Sequence, residues 1–515
     1  MSSSPQWDVI VIGAGIGGLV TASQLAAKGA KVLVLERYLI PGGSGGSFKR
    51  AGYTFDVGAS MIFGFGEKGH TNLLTRALAD VGEHCDTIPD PAQLEYHLPG
   101  GLNVAVDRDY ESFVERLGAL FPHEAKGIRA FYDTCWQVFR CLDAMPLLSL
   151  EDPAYLAKVF FRAPLACLGL ARWLPFNVGD VARQHINDPQ LLQFIDMECF
   201  CWSVMPADLT PMINAGMVFS DRHAGGINYP KGGVGTIARK LVSGLERHGG
   251  EIRYKARVTR VLMDGNQAVG VELAGGETIH ARRVVSNATR WDTFSGEGSA
   301  KVPLVDADHT PQREARWRKR YKASPSFLSL HLGIDASLVP SGFHCHHLLL
   351  EDWQAMEDEQ GVIFVSMPSL LDPELAPSGR HTLHCFTPSA MEHWQGLRPE
   401  TYNAKKQADA DRLIQRLETL LLPGLSGGIH HREVGTPRSH RRFLGRHQGS
   451  YGPIPALRLP GLLPMPFNRT GVDGLYCVGD SCFPGQGLNA VAFSGFACAH
   501  RIGADLGLNP WALPQ

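Results

Sequence analysis

The chain has 515 residues, more than one hydrophobic core usually serves, so two or three domains are expected. With 44% hydrophobic and 19% charged residues it has the composition of a folded globular protein, which argues against disorder. Its formal charge of -2, from 49 basic and 51 acidic residues, lacks the basic excess of a nucleic-acid binder, and no nucleic-acid partner is expected.

The opening "MSSSPQWD" is short and polar, so no secretion signal or transit segment is expected. The 11 cysteines are scattered without a framework, which suits reduced thiols in a cytosol-like compartment. Val9 to Ile12 then form a continuous apolar, β-branched run, as a parallel strand buried on both faces requires. Gly13, Gly15 and Gly18 follow with G-x-G-x-x-G spacing. The first glycine makes the tight turn, the second lets backbone approach a pyrophosphate, and the third lets helix pack on strand. A helix from Gly17 to about Lys28 points its positive end at the phosphates. A second strand, Lys31 to Leu35, ends in Glu36, whose carboxylate can accept from both hydroxyls of an adenosine ribose. An acid there fits FAD or NAD and disfavours a 2'-phosphate.

The glycine-dense run "YLIPGGSGGSFKRAGYTFDVGAS" comes next, and NAD alone gives no reason for it. Its expected job is to wrap more backbone around an extended cofactor. This opening resembles the FAD-binding segment of the phytoene desaturase and amine oxidase superfamily. The superfamily run reads Gly-Gly-Arg, whereas here Gly43 is followed by Ser44. "RYLIPGGSGGSF", "GYTFDVGAS" and "MIFGFGEKG" resemble one branch in particular, the carotenoid isomerases of the prolycopene isomerase type. The resemblance implies an α/β fold: a Rossmann-type FAD-binding domain of the amine oxidase kind with an inserted α+β substrate domain. It also adds Ala14, Ile16, Arg37, Gly43, Ser44, Gly58, Ala59 and Ser60 to the cofactor-binding set.

Residues 95–220 are expected to open the inserted domain, since "DYESFVERLGALFPHEAKGIRAFYDTCWQVFRCLDAM" keeps apolar residues at helical spacing. Residues 154–176 are the most apolar stretch, but Lys158, Arg162, Pro164 and Arg172 interrupt it, against a spanning helix. Leu156, Val159, Phe160, Ala163, Ala166, Cys167, Leu170 and Trp173 make one apolar stripe. That stripe suits either core helices or an interfacial segment in a leaflet, kinked at Pro164. Among the acids of the inserted domain, Glu198 in "IDMECF" is the catalytic candidate, beside Asp196, Cys199 and Trp202.

Residues 221–294 return to the cofactor domain. There the resemblance implies that backbone around Val258 meets the adenine, and that the strand Val284 to Ser286 brings Asn287 and Ala288 back to the cofactor. Residues 295–430 complete the inserted domain, with strands expected in "SFLSLHLGI", "GVIFVSM" and "HTLHCF" and a helix in "AKKQADADRLIQRLETLL". The histidines of "FHCHHLLL" invite a metal. Adjacent strand residues face opposite ways, though, so at most His344 and His346 share a face. No carboxylate is evident to complete a site, and no metal is expected. Arg438, Arg441, Arg442 and Arg446 fit either a solvated loop or a wall near the cofactor phosphates.

Residues 431–515 close the cofactor domain, which with 1–94 and 221–294 is discontinuous. "GLYCVGDSCFPGQGLNAVAFSG" reads as strand, Gly-Asp turn, glycine-rich bend and helix start. FAD is long, and this second platform would hold its flavin end. Residues 474 to 479 would form a strand beside the first. The resemblance implies that Gly479 and Asp480 bind the cofactor, the Asp480 carboxylate holding the ribityl chain. Gly487, Leu488 and Asn489 would begin a helix whose positive end favours an anionic reduced flavin.

"DPQLLQFIDMECF", "DRHAGGINYP", "SNATRWDTF" and "AVAFSG" carry the carotenoid-isomerase resemblance along nearly the whole chain. It implies an enzyme that converts poly-cis lycopene to the all-trans form, using reduced FAD with no net redox change. Its implied partners are a lipophilic carotene, a membrane surface on the cytoplasmic side, and a cellular reductant of the NAD(P)H type. Two other readings stay open: a carotenoid desaturase or saturase on the same scaffold, and a non-catalytic flavin-dependent carotene carrier.

Overall fold

A computed structural model describes residues 7–58, 60–66, 72–145, 149–296, 302–457 and 465–508. Two sheets organise it. The first uses β1 (Trp7–Ile12), β2 (Val32–Leu35), β3 (Glu251–Arg253), β4 (Val258–Asp264), β5 (Gln267–Leu273), β6 (Thr278–Ser286) and β7 (Leu475–Cys477). β7, β6, β1, β2 and β3 run parallel in that order. β4 and β5 form an antiparallel meander on the first half of β6.

The alternation in β1 sets the layers. Val9 and Val11 pack among the helices, while Ile10 and Ile12 pack against the meander with Val261 and Val271. On the helical side lie α1 (Ile16–Ala27), α3 (Pro153–Arg162), α4 (Pro164–Ala171) and α7 (Leu488–Asp505), whereas α2 (Ala125–Asp143), α5 (Pro189–Ser203) and α6 (Met212–Ala224) belong to a separate core at the second sheet. α1 and α7 touch closely: a Cβ on Gly495 would sit 2.8 Å from Gly17 O.

β7 corrects one expectation. It pairs with β6 and does not lie beside β1. β6 holds that place because its Val284 and Val285 are buried on both faces and complete the parallel core.

The second sheet has the order Ile429–Gly435, Ser326–Asp335, Arg380–Ser389, Val362–Ser366, His346–Leu350, Leu94–Leu98, Leu102–Val106. Leu328, Leu330, Leu332 and Ile334 face the helix Pro399–Leu420, while Ser329 and His331 face a cavity between the sheets. Helices α2, α5 and α6 close the far end against Leu94–Val106. The division expected between residues 430 and 431 cuts a strand of this sheet, and the one between 220 and 221 cuts α6.

Among the described residues no helix is long and apolar enough to cross a membrane. α3 and α4 together reach that length but are bent by 108°. Their stripe is mainly a core face: Val159, Ala163, Ala166, Cys167 and Leu170 pack against Met145 and its neighbours. The exposed apolar side chains are mostly others, with Phe161 81%, Leu165 83% and Leu168 61% exposed. Periodicity finds an apolar face but not what it packs on, and these helices are apolar on more than one side.

Candidate functional site

A cavity of about 1690 Å³ runs between the two sheets. It exceeds the range of roughly 300–1,000 Å³ usual for a drug-sized ligand, so a long cofactor and a second molecule fit together.

Its first wall is the turn after β1. Gly13 has φ +94, a conformation that L side chains rarely adopt. A Cβ on Gly18 would stand 2.5 Å from Gly13 O, so Gly18 serves helix packing and does not line the cavity. Ala14 acts through its backbone: its N–H donates to Glu36 Oε2 at 2.8 Å, and Tyr38 N–H donates to Oε1 at 2.7 Å. These bonds fix the Glu36 carboxylate at the cavity edge.

Gly13, Gly15, Ile16, Glu36, Arg37, Gly43, Ser44, Gly58, Val258 and Ala288 all line the cavity. The Ser44 hydroxyl is buried there without a hydrogen-bond partner. Ser60 is turned away and donates to Asp56 Oδ2 at 2.9 Å. Asp56 also accepts from Ser47, Tyr229 and Val234, a buried staple behind the cavity wall, of which only Ser47 lines the cavity. Ala59 lies outside the described residues.

The second wall comes from the C-terminal platform, where Gly479, Asp480, Gly487, Leu488 and Asn489 all line the cavity. Asp480 is paired with Arg446. Gly487 precedes α7 with φ +105, so the helix begins at the cavity. Asn489 Nδ2 donates to Phe63 O at 2.8 Å, and its Oδ1 is buried without a partner.

Asn287, at the end of β6, joins the two walls. Its Nδ2 would lie 2.8 Å from a Cβ on Gly15, and its Oδ1 2.7 Å from one on Gly479. A glycine at each place lets one amide fill the seam between loops 464 positions apart in sequence.

The arginine cluster is part of the wall: Arg438, Arg441, Arg442 and Arg446 line the cavity with Arg37 and Arg257. Burial, and then the charge of Arg257, lower the Arg37 pKa. Guanidinium groups gathered this way call for an anion. Together with the glycine cradle and the unpartnered Ser44 hydroxyl, they fit the pyrophosphate of a dinucleotide.

Beyond the C-terminal platform the wall turns apolar, with Met61, Leu142, Trp202, Met217, Val218 and Phe493. The second sheet supplies the roof. Burial lowers His331 and His440 to about 4, so both are neutral near pH 7.

Glu198 is not there. It is 0% exposed inside the helical end, bound to Arg222 at 2.6 Å and to the Tyr132 hydroxyl. That is a structural ion pair, and it corrects the catalytic assignment. An acid that does line the cavity, on the same helix as part of its apolar wall, is Asp221, the first residue of "DRHAGGINYP", which spacing alone did not single out.

The histidine segment also needs correction, because carboxylates do stand beside it. Glu95 lies 2.7 Å from His344 and 3.3 Å from His347, and Asp90 lies 3.6 Å from His346. Pairing His344 with His346 on one face fails because the strand begins only at His346.

The sequence profile of flavin containing amine oxidoreductases matches residues 16–503. The chain is 55% identical over 503 residues to a chloroplastic prolycopene isomerase of Arabidopsis thaliana, covering 98% of this chain and 83% of that one. It is 54% identical over 509 residues to the chloroplastic prolycopene isomerase of Daucus carota, covering 99% and 82%. The solved cyclohexylamine oxidase from Brevibacterium oxydans shares the fold, with a TM-score of 0.60 at 16% identity over 98% of this chain and 100% of that one.

Proposed function

The chain belongs to the flavin-containing amine oxidoreductase family and, within it, to the prolycopene isomerases; from that premise we propose that it converts poly-cis lycopene to the all-trans form. It is an FAD enzyme, and the reaction carries no net redox change. The observation that carries this reading is the continuity of the cavity, from the Gly13–Glu36 turn past Asp480 to an apolar wall at Trp202 and Met217.

Gly13, Gly15 and Ser44, with the N-terminus of α1, would hold the pyrophosphate, and Glu36 the adenosine ribose. Asp480, oriented by its pairing with Arg446, would accept from the ribityl hydroxyls. Bound in its reduced form, FAD supplies an electron-rich ring that stabilises positive charge developing along a conjugated chain. The apolar wall has no polar demand on a hydrocarbon and keeps water from the site. The neutral histidines of the roof add no positive charge against it.

We also propose a cofactor unit around the first sheet and a substrate unit around the second. In this reading, Phe161, Leu165 and Leu168 dip into a membrane surface, flanked by Lys158 and Arg162, and the carotene enters past Leu142 and Met145. All 11 cysteines are free, which fits a reducing compartment.

The test is anaerobic incubation with tetra-cis lycopene, with FAD oxidised or reduced, read by chromatography and mass. An all-trans product of unchanged mass, only under reduction, is expected. A product differing by two hydrogens means a desaturase or saturase, and unchanged substrate means a carrier.

A further inference from the structure

We propose that Asp221 is the catalytic acid of this cavity, giving a proton to the polyene and taking one back after rotation. The proposal rests on the reading of the cavity as a polyene site.

The geometry starts from α6, which presents Asn214, Met217, Val218 and Asp221 to the cavity at three- and four-residue spacing, one face of a helix. Three of these make or border the apolar wall, and Asp221 is the acid among them. It is only 3% exposed, and its Oδ2 has no hydrogen-bond partner among the described residues. Buried carboxylates are normally bound by several donors, as Asp56 is here, so an orphaned one aimed into a cavity needs a reason.

The backbone of Gly64 lies against it, since a Cβ there would meet the Asp221 carboxyl. The preceding Phe63 accepts from Asn489 Nδ2 at the start of α7. Asp221 is therefore two short links from the helix end that would face the flavin.

Among the described residues no cation pairs with it. Asp143 approaches from α2 and is a like charge. Arg222, on the same helix, is turned to Glu198, and the His223 ring faces Arg108 O at 3.2 Å. Arg108 itself binds Gly225 O and Asn228 Oδ1. Burial first, and Asp143 second, raise the Asp221 carboxyl to about 7, so a protonated fraction exists at neutral pH.

The step balances within the site. The Asp221 O–H bond breaks and a C–H bond forms at one carbon of the polyene, leaving a delocalised carbocation and a carboxylate. The former double bond has lost order and rotates. A proton then leaves the same carbon for Asp221, the double bond re-forms, and no electrons are transferred.

The test compares flavin-loaded wild type, D221N and D221E with reduced FAD and tetra-cis lycopene. D221N should keep its flavin and lose roughly a hundredfold or more in rate. The wild-type rate should fall as pH rises through neutrality, a limb that D221E keeps and D221N lacks. Difference infrared spectra should show a protonated carboxyl in wild type at mildly acid pH that is missing in D221N. A flavin-loaded D221N within a few-fold of wild type overturns the proposal. Loss of flavin from D221N also overturns it, making Asp221 a cofactor-holding residue. A wild type that leaves the substrate unchanged overturns the reading of function itself, and this proposal with it.

Discussion

Glu36 turns one carboxylate oxygen to the Ala14 N–H and the other to the Tyr38 N–H, so its orientation is set before any ribose arrives. Glu36→Ala removes those fixed acceptors. Hydrogen bonds to a charged group contribute about 1.5–3 kcal/mol, so the FAD dissociation constant should rise about ten- to a hundredfold in a fluorescence titration. Glu198 gives the opposite prediction. Sealed against Arg222 and Tyr132, it should cost about 3–5 kcal/mol of stability in a urea transition when changed to Gln, because Arg222 is left uncompensated. Flavin-loaded turnover should stay within a few-fold. A collapse in turnover with stability intact would return Glu198 to the chemistry. The two acids show what residue-level reading can do. Glu36 was legible because strand, turn and helix fix its position. Glu198 and Asp221 were not separable, since both sit in apolar helical segments and only packing decides which face meets the cavity.

At the scale of elements, α3 and α4 were legible as apolar helices broken at Pro164 but not in their orientation. Val159, Ala163 and Leu170 face the core, which leaves Phe161, Leu165 and Leu168 uncovered. The double change Phe161→Asp with Leu165→Asp should therefore abolish co-sedimentation with anionic lipid vesicles. Turnover of detergent-dispersed substrate should change by no more than a few-fold, because neither side chain lines the cavity. Unchanged sedimentation, or none in the wild type, would overturn the proposal that this surface meets a membrane. The arginine helix, Pro437–Leu444, was legible as charge but not as a wall. Whether a basic run is solvated depends on what folds over it, here Arg37 and Arg257 from the other sheet.

Across the whole molecule, loops from opposite ends of the chain meet over Asn287, and one cofactor would bridge them. FAD should then stabilise the whole fold. At a free concentration a hundredfold above its dissociation constant the gain is about 2.7 kcal/mol, and calorimetry should show one transition moving upward as FAD is added. Two transitions, with only one moving, would mean that the second sheet unfolds independently of the cofactor unit. By itself the sequence determined the strand–turn–helix units at both ends, the glycines and the acid of the first turn, and a dinucleotide as the class of cofactor. These are local: a few adjacent residues dictate backbone geometry, and the geometry dictates the chemistry. The tertiary structure alone decided that β6 separates β1 from β7, that Glu198 is walled in while Asp221 faces the cavity, and which side of α3 and α4 is bare. Each of those depends on contacts between residues far apart in the chain, and no spacing along it records them.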